Sequence, residues 1–139
     1  MDFPSRMLNF IRRHHVLSLS TSDESGLWAS SCFYVFDEEN LQFIIITDLD
    51  TRHGKQALKN SSVAGTVALE TKSVGKIQGI QFSGKIILLE GKERSKAKKI
   101  YLKRFPYAIL TNTALWAVKP EHVKMTDNRL GFGKKLFWP

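Results

Sequence analysis

Apolar positions along the chain recur with two periods, and these divide it into strands and a few helices. Alternating apolar and polar residues are typical of half-buried strands, whereas apolar residues three and four apart are typical of helices. Six stretches form or contain a strand: 16–22, 27–36, 41–47, 62–70, 76–90 and 115–127. The C-terminal segment 131–139 is a candidate seventh strand.

Three short helices interrupt the strands. The first follows Pro4, which suits the first turn of a helix, and extends to about His14. The second covers 51–60 and the third 92–105. The apolar stripe of the third helix consists of Ala97, Ile100, Tyr101 and Phe105. Pro120 should interrupt or bend the sixth strand, because proline lacks the N–H that a strand ladder uses.

Sequential strands with sparse helices favour a mainly β fold, an antiparallel barrel, over a doubly wound sheet. No internal repeat or linker divides the sequence, so residues 1–139 are predicted to form a single domain. A chain of 139 residues can bury a core without metal or disulfide staples.

The single cysteine, Cys32, excludes an intrachain disulfide and favours a reducing, cytoplasmic location. Its simplest role is that of a small buried side chain in a strand. The most apolar run, residues 43–46, is far too short to span a membrane. The N-terminal segment lacks the apolar centre and cleavage site of a secretory signal.

Charge is distributed unevenly. Residues 1–47 carry three basic and six acidic side chains, whereas residues 48–139 carry eighteen basic and seven acidic ones. A positive field of this kind attracts polyanions or a phosphorylated small molecule.

Cations stand in an unexpected place at the start of the second helix. Arg52 and His53 occupy its first turn, although unpaired N–H groups already make that end electropositive. With the hydroxyl of Thr51, they could receive a phosphate dianion. In the alternative interpretation, Asp48 and Asp50 neutralise Arg52 and the cluster is a solvated helix cap.

The fifth strand divides into two faces, one of which could hold a flat ligand. The first face has Gln78, Ile80, Phe82 and Ile86, and the second has Ile77, Gly79, Gln81, Ser83 and Lys85. Gly79 and Gly84 weaken a strand unless a ring packs on the backbone or a bend is needed. A glutamine beside such a gap could hydrogen-bond a heterocycle. The alternative is a barrel strand with bulges.

Residues 92–104 hold seven Lys or Arg side chains and one Glu, so they could contact nucleic-acid phosphates. A solvated helix face is the simpler interpretation, because no base-stacking aromatic residues interleave with the charges. The histidines show no metal-ligand spacing, no second cysteine assists them, and no hydrolytic triad appears. We therefore predict no metal site.

Several quoted motifs, in this order, carry a family resemblance: LWASSCFYVFD, ITDLDTRHGK, SSVAGTV, IQGIQFSGKI, RFP and TDNRLGFGKKLFW. With them the chain resembles the pyridoxamine 5′-phosphate oxidase-like superfamily of FMN-binding split barrels, and within it the small bacterial YhbP-like family. The resemblance spans nearly the whole chain. It implies a split antiparallel β-barrel of six to seven strands and a homodimer with ligand clefts at the subunit interface.

The resemblance also implies a flavin site. In flavin-binding relatives the segment similar to ITDLDTRH receives the FMN phosphate, which transfers to Thr47, Thr51 and Arg52, with His53 in place of a lysine. A strand glutamine contacts the flavin in those oxidases. Gln81 is the preferred candidate here, ahead of Gln78, because it shares the face of Gly79.

Two departures from the oxidases limit which activity the resemblance implies. Ser31 and Phe36 stand where the oxidases carry Arg and Lys, and the C-terminal Arg/His substrate motif is missing. Oxidation of pyridoxamine phosphate is therefore not expected. The resemblance implies an FMN-dependent oxidoreductase of unidentified substrate, with no catalytic residue assigned. The alternatives are a basic binding module for nucleic acid or an acidic partner, and a barrel that binds haem or a deazaflavin.

Overall fold

In a computed structural model that describes residues 2–110 and 112–139, the helices and strands follow the predicted order. The α-helices are α1 (Ser5–Arg13), α2 (Arg52–Lys59) and α3 (Gly91–Arg104). The strands are β1 (Val16–Asp23), β2 (Gly26–Asp37), β3 (Gln42–Ile46), β4 (Ser62–Ala68), β5 (Gln78–Leu88), β6 (Leu115–Asp127) and β7 (Lys135–Trp138). Short 3-10 helices occupy Val74–Lys76, Pro106–Leu110 and Asn128–Leu130. The candidate C-terminal strand is therefore formed as β7.

The strands pair in antiparallel fashion and the sheet closes on itself. Their hydrogen-bonded order is β3-β2-β1-β4-β5-β6-β7, and β3 pairs in addition with β6. The β3–β6 pairing closes the first six strands into a ring, and β7 extends the sheet beyond β6. The predicted mainly β fold with an antiparallel barrel is confirmed.

Pro120 lies at an irregularity of β6, as the sequence predicts. The register between β5 and β6 shifts at Gly84, which pairs with Pro120, so that Glu121 becomes an extra residue in β6. A Cβ atom at Gly84 would collide with the backbone carbonyl of Lys119. Gly84 therefore allows close strand packing at a bulge, and no ligand is needed to explain it.

The two faces of β5 separate as predicted. Ile80, Phe82 and Ile86 are buried in the barrel, whereas Gln81 and Lys85 are exposed on its outer face. The alternation persists through the bulge. The outer face of β5 is consequently available to a ligand or a second protein chain.

Two hydrophobic cores hold α1 and α3 on the barrel. The larger core fills the barrel and includes Met7, Phe10 and Ile11 of α1, all fully buried. The smaller core joins α3 to β2, β3 and β6. The predicted stripe of α3 packs in this smaller core: Ala97, Ile100, Tyr101 and Phe105.

Phe36, Ser31 and Cys32 of β2 have ordinary strand environments. Phe36 packs edge-on against Phe3 and Phe43, with ring centroids 5.6 and 4.9 Å away. Ser31 is exposed on the outer face of β2. Cys32 is buried as predicted, and burial raises the pKa of its thiol.

Candidate functional site

The loop that follows β3 and the start of α2 form one closely packed unit. Thr51 is the N-cap: its hydroxyl accepts a hydrogen bond from the Gly54 amide at 3.0 Å and donates to the Asp48 carbonyl at 2.8 Å. A Cβ atom at Gly54 would collide with the Asp48 carbonyl. Capping therefore engages the Thr51 hydroxyl and the Gly54 amide, and the amides of Arg52 and His53 remain the donors that a ligand could use.

His53 braces α2 against the barrel. Its Nε2 atom lies 2.5 Å from Oγ1 of Thr47. Thr47 itself is held by the Trp116 indole N–H, which donates to its carbonyl at 3.1 Å. Burial lowers the pKa of His53, which favours the neutral imidazole at neutral pH. His53 is therefore a neutral hydrogen-bonding group here and not a cation.

Arg52 is exposed and points away from the carboxylates beside it in sequence. Its guanidinium lies over the Trp28 ring, 4.4 Å from the centroid, and Nη2 donates to the Ser25 carbonyl at 3.4 Å. Within residues 2–110 and 112–139, no ion pair includes Arg52. Of the alternative interpretation, the capped and exposed helix start is therefore present, whereas an ion pair of Arg52 with Asp48 or Asp50 is not among the described contacts.

Gln56 holds α2 against the β1–β2 hairpin, which carries the Ser25 and Trp28 contacts of Arg52. Its side chain is 1% exposed and connects α2 to the β1–β2 hairpin. The Oε1 atom accepts from the Thr21 hydroxyl at 2.7 Å, and Nε2 donates to Asp23 Oδ1 and to the Gly26 carbonyl, both at 3.1 Å. Sequence reasoning missed this residue. A glutamine on the inward face of a short amphipathic helix was the available signal.

Gln81 lies apart from the other predicted site residues. It pairs with Thr66 on β4 and Lys124 on β6, and its side chain is exposed on the outer face of the barrel. α2 packs mainly on β1, which is two strands away from β5, and it also contacts β2 and β5. At about 4.8 Å per strand spacing, β1 and β5 are about 10 Å apart across the sheet.

Shallow clefts flank Gln81 on both sides. The first has a volume of about 340 Å³ and includes Ser83, His122 and Phe137. The second, about 330 Å³, includes Thr66 and Gly79. The structure therefore brings Thr47, Thr51, Arg52 and His53 together at one place and leaves Gln81 at another.

The charged helix α3 behaves as an exposed helix over most of its length. Lys92, Lys96, Lys99 and Lys103 are exposed, whereas Tyr101 is buried. The described part of the chain holds no cluster of three or more His, Cys, Asp or Glu side chains that could bind a metal ion. None of its helices has the length and apolar character that crossing a membrane requires.

Proteins of one family are similar to this chain over most of its length. A UPF0306 protein of Photorhabdus laumondii is 43% identical over 129 residues, which cover 93% of this chain and 90% of that protein. A UPF0306 protein of Yersinia pestis strain Angola is also 43% identical, over 93% of this chain and 88% of its own length. No protein-family model matches the chain.

Solved structures share the fold at low sequence identity. The heme-binding protein from Mycobacterium smegmatis has a TM-score of 0.79 at 16% identity, over 99% of this chain and 59% of that chain. HutZ, the heme storage protein from Vibrio cholerae, has a TM-score of 0.72 at 18% identity, over 87% of this chain and 92% of that chain. These similarities confirm the split-barrel fold; the closer resemblance to the YhbP-like family stays a prediction.

Proposed function

The chain belongs to the UPF0306 family, and we propose that it is a split-barrel protein that binds FMN, with the ligand phosphate at the start of α2. One observation carries this proposal: Arg52 lies exposed at a helix N-terminus, held over an aromatic ring and unpaired with any carboxylate among the described residues. A cation at that end is unfavourable by about 0.3–1 kcal/mol unless an anion meets it.

The residues at the start of α2 fit a phosphate group. Arg52 supplies planar N–H donors, and the amides of the first turn are those that a helix leaves without an intrahelical acceptor. His53, held by Thr47, adds a hydrogen-bonding ring at the same turn. Each charge-assisted hydrogen bond would contribute about 1.5–3 kcal/mol.

The outer face of the barrel fits the flat part of FMN. The outward positions on β4 and β5 include Thr66, Ala68, Gly79 and Gln81, so few bulky side chains stand above the sheet. Gln81 would hydrogen-bond a ring carbonyl or nitrogen. The bound flavin would supply electron or hydride transfer. No residue is assigned a catalytic role.

A second copy of the chain would complete the cleft. Small or polar side chains occupy several outward positions of β1, β2, β4 and β5: Ser18, Ser20, Ala29, Ser31, Ala64 and Ser83. A face of this kind allows two sheets to approach closely. We therefore propose a homodimer with the ligand between subunits, which also relieves the separation of Gln81 from Arg52 within one protomer.

An FMN titration of purified protein tests the proposal. Arg52→Gln should weaken FMN binding by at least about tenfold, the loss expected from one charge-assisted hydrogen bond. Lys59→Gln is the matched control, because it removes the same charge from the far end of α2. Wild-type protein that shows no flavin absorption and binds no added FMN would refute the proposal.

Haem is the second candidate, and two observations favour it. The fold neighbours include proteins whose names describe heme binding and heme storage. In addition, His122 is exposed on the outer face of β6, in a cleft with Phe137, and could serve as an axial ligand. A hemin titration distinguishes the ligands: a sharp absorption band that His122→Ala abolishes and Arg52→Gln preserves would support haem against FMN.

A further inference from the structure

A cleft separates α1 from α3, and none of the residues that line it belongs to α2. Its volume is about 610 Å³, and it lies over the C-terminal half of β2. A cleft of this size is within the range of sites that hold small organic molecules, about 300–1,000 Å³. We call it the α1–α3 cleft.

The floor of the α1–α3 cleft is apolar because it lies where the two hydrophobic cores meet. Leu8 and Phe36 pack against the larger core. Val35 belongs to the smaller core, and Ile100 packs against it. Apolar surface left open between two cores favours an apolar occupant over water.

The rim of the α1–α3 cleft is basic. Arg12, Lys103 and Arg104 line it, against the single carboxylate of Glu38. Glu38 is already engaged, since it accepts hydrogen bonds from both Nε and Nη2 of Arg12. An occupant with a negative head group would therefore meet two cations, Lys103 and Arg104, that pair with no carboxylate among the described residues.

Arg104 is fixed in place before any ligand arrives. Its Nη2 atom donates to the His14 carbonyl at 2.8 Å, which ties the end of α3 to the end of α1. Its guanidinium also lies 5.6 Å from the ring centroid of Phe105. Lys103, by contrast, is exposed, and its side chain makes no hydrogen bond or ion pair with the described residues. Its ammonium group is therefore free to meet an anion.

A second, polar cleft adjoins the first through Arg12. It has a volume of about 480 Å³ and is lined by Arg6, Arg12, Arg13 and Arg129. The positive potential therefore continues beyond the apolar floor, and a field of this sign draws anions toward the cleft.

We propose that the α1–α3 cleft binds a small amphipathic anion, with an apolar body on the floor and a carboxylate or phosphate head against Lys103 and Arg104. This site is distinct from the start of α2 and independent of the FMN proposal. Both head groups carry negatively charged oxygen atoms, which are what the basic rim would recognise. Ligands with the same alkyl chain and either head group show which one binds more tightly.

The test uses the fluorescent anion 1-anilinonaphthalene-8-sulfonate as the reporter. Decyl phosphate and decanoate are added as competitors, and decylamine is the control with the same tail and the opposite charge. We expect one bound reporter per chain, displaced by either anion but not by the amine. The stronger competitor identifies the head group. Octyl phosphate should compete at least about fivefold more weakly than decyl phosphate, since each methylene contributes to burial.

Charge reversal at the rim locates the site. Lys103→Glu should weaken decyl phosphate binding by at least about fivefold, because the new carboxylate repels the head group. Lys96→Glu is the matched control, an exposed lysine of the same helix outside the cleft. Circular dichroism checks that both variants are folded. Equal binding of phosphate and amine, or an unchanged affinity in Lys103→Glu, would overturn the proposal. Loss of binding in Arg52→Gln would also overturn it.

Discussion

Arginines in two regions of this protein have opposite relations to carboxylates. At the start of α2, Arg52 lies over Trp28 with no carboxylate partner in the described chain, although Asp48 and Asp50 are close in sequence. Beyond the end of β6, Arg129 and Arg6 both contact Asp127, whose side chain is 1% exposed. The first arginine is available to a ligand, and the other two are occupied.

The difference shows that spacing in the sequence does not decide whether an arginine and a carboxylate pair. Asp127 and Arg129 are two residues apart and pair, whereas Asp50 and Arg52 have the same spacing and form no ion pair in the described chain. Asp127 is 121 residues from Arg6, yet their side chains lie 3.3 Å apart because α1 packs near the end of β6. Asp48 uses its backbone carbonyl to accept from the Thr51 hydroxyl. A structural arginine satisfies a buried carboxylate, whereas a binding arginine keeps its donors accessible.

Removal of the buried carboxylate should have the largest effect on stability. Asp127 accepts hydrogen bonds from the Arg129 amide and guanidinium and contacts Arg6, so Asp127→Asn should lower the free energy of unfolding by about 2–3 kcal/mol. Chemical denaturation measures the loss. Asp50→Asn is the control near Arg52, with an expected change within about 0.5 kcal/mol. Equal effects of the two variants would remove the distinction between the regions.

Low pH should abolish the stabilisation that the Asp127 carboxylate provides. Its hydrogen bonds with Arg129 lower the pKa of the folded carboxyl group below the value of about 3.9 in an unfolded chain. The stabilisation is therefore complete above about pH 4 and is lost as pH falls through the folded pKa. Denaturation curves of wild type and Asp127→Asn should converge in acid. A difference that persists at low pH would point to packing and not to charge.

The two arginines at Asp127 should contribute unequally. Arg129 donates from both Nε and Nη2, at 3.0 and 2.9 Å, whereas Arg6 donates from one nitrogen at 3.3 Å. Arg129→Gln should therefore destabilise the protein more than Arg6→Gln and less than Asp127→Asn. Thermal unfolding of the three variants gives the order. A larger loss for Arg6→Gln would contradict this account.

The sequence predicted the fold well because the barrel follows from local periodicity. The helix and strand limits agree with the predicted ones to within one or two residues for β1, β2 and α2. The two faces of β5 also followed from alternation, and the burial of Cys32 followed from the apolar character of a free cysteine. The role of Gln56 did not, since its partners Thr21, Asp23 and Gly26 lie on the β1–β2 hairpin, 30 to 35 residues earlier in the chain.

The candidate site was only partly predictable. Residues Thr47, Thr51, Arg52 and His53 fall in one short segment, and their proximity follows from a strand end beside a helix start. Gln81 was chosen from its face on the strand, and face alone gives no distance to α2. The flavin contact of Gln81 stays a prediction, and so does the homodimer.

Trp28 should contribute to binding through the position of Arg52. A cation–π contact at an exposed site is worth about 0.5–1 kcal/mol, so Trp28→Leu should weaken FMN binding by about two- to fivefold. Leu27→Ala is the control, because Leu27 is the neighbouring residue and is 81% exposed. FMN titration of both variants measures the effect. A loss larger than that of Arg52→Gln would mean that the ring itself contacts the ligand.

Arg52 itself should matter least for stability. The structure shows a weak hydrogen bond at 3.4 Å and one ring contact for it, so Arg52→Gln should change the free energy of unfolding by no more than about 0.5 kcal/mol. Chemical denaturation in the absence of ligand gives this number. A clear destabilisation would place Arg52 with Arg129 as a structural residue.

The most direct measurement compares FMN with riboflavin, which lacks the phosphate, in wild type and Arg52→Gln. If Arg52 meets a phosphate, wild type should prefer FMN by at least about tenfold, and the variant should bind the two flavins with nearly equal affinity. A preference for FMN that survives in Arg52→Gln, or a wild type that binds both flavins equally, would contradict the account.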